Sequence, residues 1–540
     1  MGQSGFFTIL FSFLFISLAY PQNNHPKLVV GIVVDQMRYD YLSKYEKYYG
    51  NEGFKRLTKE GSNFTFAHYN YVPTYTGPGH ASIYTGSTPY YHGIISNDWY
   101  SKKTHSFVNC VEDDAERTIG AASSEGQASP KRLLTTTISD QLKIFTNGKS
   151  KVYSISLKDR AAILPGGHKP DGVYWYSSKT GKFITSTYYT KSLPPWVIDF
   201  NSKDIAGNLF RNGWNLLLPE EDYSLSSPDN APWEDDVFSE GKTSFPHSFS
   251  NVMNRKYDLI KDTPYGNELL LQFAEALIEN EKPGSGEYTD FLGISFSSTD
   301  YIGHAYGPNS FEIQDAFIRM DRQMAELLST LNKSVGKGNY ILFLTADHAV
   351  SETIGFLQKL NIPSGNFNTK ACRDSLENFA ERKFGTTDII KNFSNFQIYL
   401  DQKIIDDKNL NTSDVENAFG KYLLNEFPEI EKVFLRHYLG NLLPHRIPYN
   451  YILNGFNPQR SGNVEFELKP NYLPDHENYG TTHGASFPYD THVPLIFYGW
   501  HIPVKQVNAP VYIVDIAATV CNMLGITEPT GCIGIPIIDK

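Results

Sequence analysis

Leu28-Val29-Val30-Gly31-Ile32-Val33-Val34-Asp35 is an almost continuous apolar run closed by a carboxylate. A run of this kind, here Lys27 to Val34, suits a parallel strand buried on both faces. A polar side chain at the carboxyl end of such a strand stands where open α/β sheets place their ligands. Taken alone, Asp35 reads first as an N-cap or turn residue. The pattern then recurs. Phe291 to Phe296 leads into Ser297-Ser298-Thr299-Asp300-Tyr301-Ile302-Gly303-His304, and Tyr340 to Thr345 leads into Ala346-Asp347-His348. Val152 to Leu157 ends at Lys158-Asp159-Arg160, and Val493 to Tyr498 adds a further core strand. Helical periodicity falls between these runs, over Thr135 to Thr146, Gly266 to Glu281, from Phe311 through Leu331, and over Ile513 to Leu524. The expectation is an α/β fold with a mostly parallel central sheet flanked by helices.

The chain of 540 residues allows one large domain with inserted subdomains. Asp171 to Thr190 alternates aromatic and polar residues around Ser177-Ser178-Lys179-Thr180-Gly181, a hairpin read as an insertion rather than core. Residues 191–265 are rich in Pro, Trp and Gly and read as an irregular cap over one end of the sheet. The catalytic domain is expected over 26–540, with insertions at about 165–265 and about 360–470. The second insertion is a small α+β unit, with strands Asn395 to Leu400 and Lys432 to Arg436 around a helix Ser413 to Phe427.

Residues 1–20 read as a signal peptide, with an apolar run from Phe6 to Ile16 and a small-x-small site at Ser17-Leu18-Ala19. The run is too short to span a bilayer with ease, so no membrane span is expected and the mature protein reads as periplasmic or secreted. Basic residues number 48 against 59 acidic, a net of −11, which argues against a nucleic-acid binder but leaves room for a locally positive pocket. Cys110, Cys372, Cys521 and Cys532 permit two disulfides in an exported protein, Cys521 with Cys532 being the pair to test first.

A second stretch carries the chemistry. Tyr71-Val72-Pro73-Thr74-Tyr75-Thr76-Gly77-Pro78-Gly79-His80 is a turn that runs into a helix over Ala81 to Tyr84. A threonine just before a helix N-terminus is well placed to attack a phosphate, because free N–H donors and the positive dipole end attract anions. Ser and Thr are also ordinary caps, so Thr76 alone decides nothing. His92-Gly93-Ile94-Ile95-Ser96-Asn97 is a turn that can return Asn97 to the pocket, and Lys158 with Arg160 either reach one anion together or form a solvated turn. Asp300 and His304 share one side of a helical turn, and Tyr479-Gly480-Thr481-Thr482-His483-Gly484 returns to the same Gly/His style. Counted as ligands, Asp300, His304 and His483 form one zinc-type set, and Asp35, Asp347 and His348 form another with Thr76 at its open position.

Thr-Tyr-Thr-Gly-Pro-Gly-His, His-Gly-Ile-Ile-Ser-Asn, Ser-Leu-Lys-Asp-Arg, Ser-Thr-Asp-Tyr-Ile-Gly-His, Thr-Ala-Asp-His and Thr-His-Gly together resemble the PafA-type bacterial alkaline phosphatases. These belong to the alkaline phosphatase superfamily, alongside nucleotide pyrophosphatase/phosphodiesterases. The likeness runs from Lys27 to the end of the chain. It implies two zinc ions held by the seven residues above, Thr76 as nucleophile through a phosphothreonine, and Asn97, Lys158 and Arg160 on the phosphoryl oxygens. The implied substrates are small phosphate monoesters, and the implied state is a monomer. A phosphodiesterase with the same two-zinc site is the alternative, and the Lys/Arg pair favours the extra charge of a monoester. A sulfatase is disfavoured because no C/S-x-P-x-R motif occurs. An exported binding protein, the non-enzymatic alternative, needs no nucleophile.

Overall fold

The apolar run at residue 28 does become a strand, Leu28–Val34, and every residue of it is buried. In the computed structural model, which describes residues 25–442, 447–476 and 479–538, this strand pairs in parallel with Asp290–Phe296 on one side and Tyr340–Thr345 on the other. Leu28 lies opposite both Asp290 and Tyr340, so the three strands end level with one another. Val152–Ser156 continues the parallel order beyond Asp290–Phe296, with Ser156 opposite Ser295. Asp35, the helix Ser298–Tyr306 with Asp300 in its first turn, Asp347 and Lys158 therefore leave the sheet along one carboxyl edge. Each buried Val, Leu or Ile side chain of these strands stabilises the fold by about 1.5–3 kcal/mol.

The strand 492–499 inserts antiparallel between Tyr340–Thr345 and Ser62–His68, so the sheet is mixed at that end. At the other end one sequence expectation is corrected. The hairpin read as an insertion, Gly172–Ser177 and Lys182–Ser186, instead extends the central sheet, with Gly172–Ser177 parallel to Val152–Ser156. Its inward side chains, Val173, Trp175 and Ile184 among them, are buried. Alternation in the sequence shows a two-faced ribbon but not which strand it pairs with.

Helices Pro264–Glu281 and Phe311–Ser334 pack against each other beside the sheet, and Met320 and Met324 are fully buried core. Residues 191–265 hold the short helices Pro195–Ser202 and Ile205–Phe210 and several 3-10 turns, with Trp214, Phe238 and Phe249 buried. Residues 360–470 form their own four-stranded sheet, including Gln397–Leu400 and Val464–Leu468, over a separate apolar cluster. The expected signal peptide, residues 1–20, and Asn478 lie outside the described residues. All four cysteines are free thiols, so the Cys521–Cys532 pairing is not made in this structure. Among the described residues no helix is long and apolar enough to cross a membrane.

Candidate metal and phosphoryl site

Thr76 opens a helix, Thr76–Thr85, whose residues are all buried. Tyr75 precedes it in extended conformation and supplies no side-chain cap, which leaves the N-terminal N–H groups to other acceptors. Asn97 takes one of them: its Oδ1 accepts from the Gly77 N–H at 2.7 Å, which turns its amide N–H₂ away from the helix end. Gly79 is required here, since a β-carbon would collide with the Asp347 carbonyl oxygen. The helix thus lies directly against the end of the Tyr340–Thr345 strand. Four residues on from Thr76, His80 bridges the Thr76 carbonyl (2.9 Å) and Ser295 Oγ (2.8 Å), fixing the helix to the sheet edge.

The carboxylates and imidazoles expected as ligands come together at this edge. Asp300 is central. Its Oδ1 lies 3.2 Å from His304 Nε2, 3.7 Å from His483 Nε2 and 4.0 Å from His348 Nε2. Asp35 Oδ1 is 3.5 Å from His348 Nε2, and Asp347 Oδ2 is 3.7 Å from it. The two compact groupings are Asp300, His304 and His483, and Asp35, Asp300 and His348. Asp300 therefore takes part in both, whereas the sequence division gave it to one set only. Asp347 stands beside the second grouping, with Oδ2 also 3.4 Å from His80 Nδ1.

The hydrogen bonds around these histidines fit a cation. His304 Nδ1 donates to the Thr481 carbonyl (2.7 Å), His483 Nδ1 to the Thr74 carbonyl (2.6 Å) and His348 Nδ1 to the Ala349 carbonyl (3.0 Å). Each ring is thereby held with an Nε2 lone pair aimed at carboxylate oxygens, which an acceptor facing an acceptor does not favour. Asp35 Oδ1, Asp347 Oδ2 and His348 Nε2 are buried without a hydrogen-bond partner. Burial and the neighbouring Asp300 and Asp347 push the Asp35 carboxyl well up, and burial raises Asp347 to about 6. Burial lowers His348 to about 3 and, with His348 and His304 alongside, takes His483 well down, so both rings are neutral. Asp and neutral His in this number suit zinc.

Lys158 caps the helix Asp159–Gly166 and enters the same space. Its Nζ lies 2.7 Å from Asp35 Oδ2, 2.6 Å from Asp300 Oδ2 and 3.4 Å from Thr76 Oγ1. Burial opposes its charge, but Asp300 and Asp35 raise its pKa. Despite burial, the Lys158 ammonium holds Asp300 well below the usual carboxylate range. Arg160 follows two residues on, its guanidinium 3.5 Å from Asp159 Oδ1 and its Nε buried without a partner.

Sequence reasoning missed Gln36 and Asp490. Gln36 donates from Nε2 to Asp300 Oδ1 (2.7 Å) and from its backbone N–H to Asp347 Oδ1 (3.2 Å), at φ +63°. Asp490 Oδ2 accepts from the Gly484 and Ala485 N–H groups and so shapes the loop after His483. A glutamine directly after a strand-end aspartate was the available signal for the first. For the second there was none.

The type I phosphodiesterase / nucleotide pyrophosphatase family matches residues 29–489. Alkaline phosphatase PafA of Elizabethkingia meningoseptica is 44% identical over 519 residues, which cover 95% of this chain and 94% of that protein. Alkaline phosphatase PhoV of Synechococcus elongatus is 42% identical, over 96% and 94% respectively. The crystal structure of wild-type PafA superposes with a TM-score of 0.91 at 43% identity, covering 95% of this chain and 98% of that one. With this fold, this donor cluster and these likenesses, the chain belongs to the type I phosphodiesterase / nucleotide pyrophosphatase family of the alkaline phosphatase superfamily, on its PafA-type alkaline phosphatase branch.

Proposed function

We propose that this protein is an alkaline phosphatase that hydrolyses small phosphate monoesters through a phosphothreonine at Thr76, with two zinc ions as cofactors. One observation carries the reading: a buried threonine hydroxyl at a helix N-terminus, 3.4 Å from an ammonium that itself touches both Asp35 and Asp300. Asp300, His304 and His483 would hold one zinc, and Asp35, Asp347 and His348 the other with Thr76 beside it. When bound, the pair supplies charge neutralisation for a dianionic substrate and its leaving oxygen.

The remaining work falls to side chains. Thr76 Oγ1 attacks phosphorus in line, the new Oγ1–P bond forming as the ester P–O bond breaks and the alcohol leaves with a proton. Water then attacks the phosphothreonine, its proton returns to Thr76 Oγ1, and phosphate departs. Asn97, turned outward by its bond to Gly77, presents its amide to a phosphoryl oxygen. Lys158 is held by Asp35 and Asp300 here; with those carboxylates engaged as metal ligands, its ammonium would be released toward the transferring group. Arg160 adds a planar fork for two further contacts.

The family also contains diesterases, so the second reading is a phosphodiesterase with the same residues. Matched monoester and diester substrates separate the two. Replacing Lys158 and Arg160 together by Ala lowers kcat/KM for the monoester by about tenfold or more beyond the diester loss, because the monoester carries the additional charge. Equal losses favour the phosphodiesterase.

The leader and the exported location belong to this proposal as well, and N-terminal sequencing of secreted protein checks them.

A further inference from the structure

The strand Val464–Leu468 of the 360–470 insertion has two chemically different faces. Val464, Phe466 and Leu468 belong to the insertion's apolar cluster. The two-residue period therefore turns Glu465 and Glu467 to the opposite face. That face borders a crevice of about 50 Å³ between the insertion and the catalytic body. Glu467 is only 7% exposed. Its Oε1 accepts from Ser486 Oγ, while its Oε2 is buried with no hydrogen-bond partner. Lys432, opposite Glu467 on the neighbouring strand, has its ammonium 3.7 Å from Glu431. Burial and the Glu467 charge raise the Glu465 carboxyl to about 8, and burial raises Glu467 against the opposing charge of Lys432.

The rest of the lining mixes rings and aliphatic groups, Phe396, Ile452 and Tyr489 among them, with the polar side chains of Lys469, Thr482, Ser486 and Asp490. Among the described residues, both compact metal-type groupings lie at the catalytic edge. A protonated amine fits better, because carboxylates accept its N–H groups while rings and methyls cover its carbon. We propose that this crevice binds a small organic ammonium ion, held by Glu465 and Glu467.

Its position ties it to the site. Residues 482–490, which carry His483, form one wall, and Val72–Pro73, just before the Thr76 loop, form another. The Asn395–Phe396 turn also borders it, and Asn395 Nδ2 donates to the Asp98 carbonyl (2.7 Å), next to Asn97. The ammonium is supplied either by the leaving alcohol of an ester or by a free amine. Only that distinction rests on the phosphatase reading.

Titration calorimetry of the metal-loaded full chain with n-butylammonium, and with n-butanol as the neutral isostere, tests binding without any turnover. Saturable binding of the ammonium but not the alcohol is expected, weakened about tenfold or more in E465Q/E467Q. E465Q alone serves if the double variant melts early, since it is Glu467 that holds Ser486. Equal binding to wild type and variants, equal binding of alcohol and ammonium, or no saturation overturns the proposal. Comparing 4-aminobutyl phosphate with butyl phosphate then finds the source. A selective loss of kcat/KM for the amino ester in the variants assigns the leaving alcohol. A change in butyl phosphate turnover by free butylammonium, without competition, assigns a free effector. Absence of hydrolysis with binding intact would refute the phosphatase reading alone.

Discussion

Thr76 is the residue on which the proposed chemistry turns, and its proposed role separates from that of its neighbours. Thr76→Ala removes the attacking oxygen but none of the imidazoles or carboxylates that gather the metals. Turnover is expected to fall by about 10³-fold or more with metal content unchanged. A near wild-type rate in that variant contradicts the assignment. Gln36 makes the opposite prediction, because it touches ligands and no substrate. Its amide holds Asp300 Oδ1, the atom facing His304, His483 and His348. Gln36→Ala should weaken zinc affinity about 10–100-fold in a chelator competition, and excess zinc should restore turnover. Unchanged affinity would show that the Gln36 bond does not orient Asp300. Asp35, Asp347 and His348 were legible in the sequence because each ends an apolar run. Gln36 was not, since an amide after a strand reads as any turn residue. The sharing of Asp300 was hidden too: the spacing to His304 fixes one helical face but says nothing of His348, which arrives on another strand.

At the scale of elements, helix and strand ends do the positioning, and their caps can be tested alone. The helix Ile138–Phe145 begins with a capping box between Thr137 and Asp140. Asp140 also accepts from the His168 N–H (2.7 Å) and from His168 Nδ1 (2.8 Å), tying that helix to the loop after Asp159–Gly166. The Asp140 bond raises the His168 pKa. A raised folded value means this stabilisation is complete below the unfolded value of about 6.5 and is lost as pH rises through the folded one. His168→Asn should therefore lower Tm more at about pH 5.5 than at about pH 9. An equal loss at both pH values contradicts the ion pair. The sequence placed this helix within three residues, at Thr135 to Thr146, because apolar spacing marks its core face. It could not place the hairpin 172–186, whose alternation is equally compatible with a separate ribbon and with the sheet edge it occupies.

For the whole molecule, the site exists only when the chain is folded, since Asp35, Asp300, Asp347 and His483 come from four separate segments of the chain. The register of four parallel strands brings three of these segments level, and the Thr74 carbonyl fixes the fourth through His483. Repeated apolar runs with polar ends made this architecture readable. The contacts between the 360–470 insertion and the Asn97 turn were not readable, because they join side chains and loops without any shared pattern. The central claim is that two divalent cations lie at this edge within reach of one threonine hydroxyl. Anomalous diffraction at the zinc edge from crystals of the active protein tests it most directly. Two peaks are predicted, one bounded by Asp300, His304 and His483, the other by Asp35, Asp347 and His348 next to Thr76; a single peak, or none, in catalytically competent crystals contradicts it.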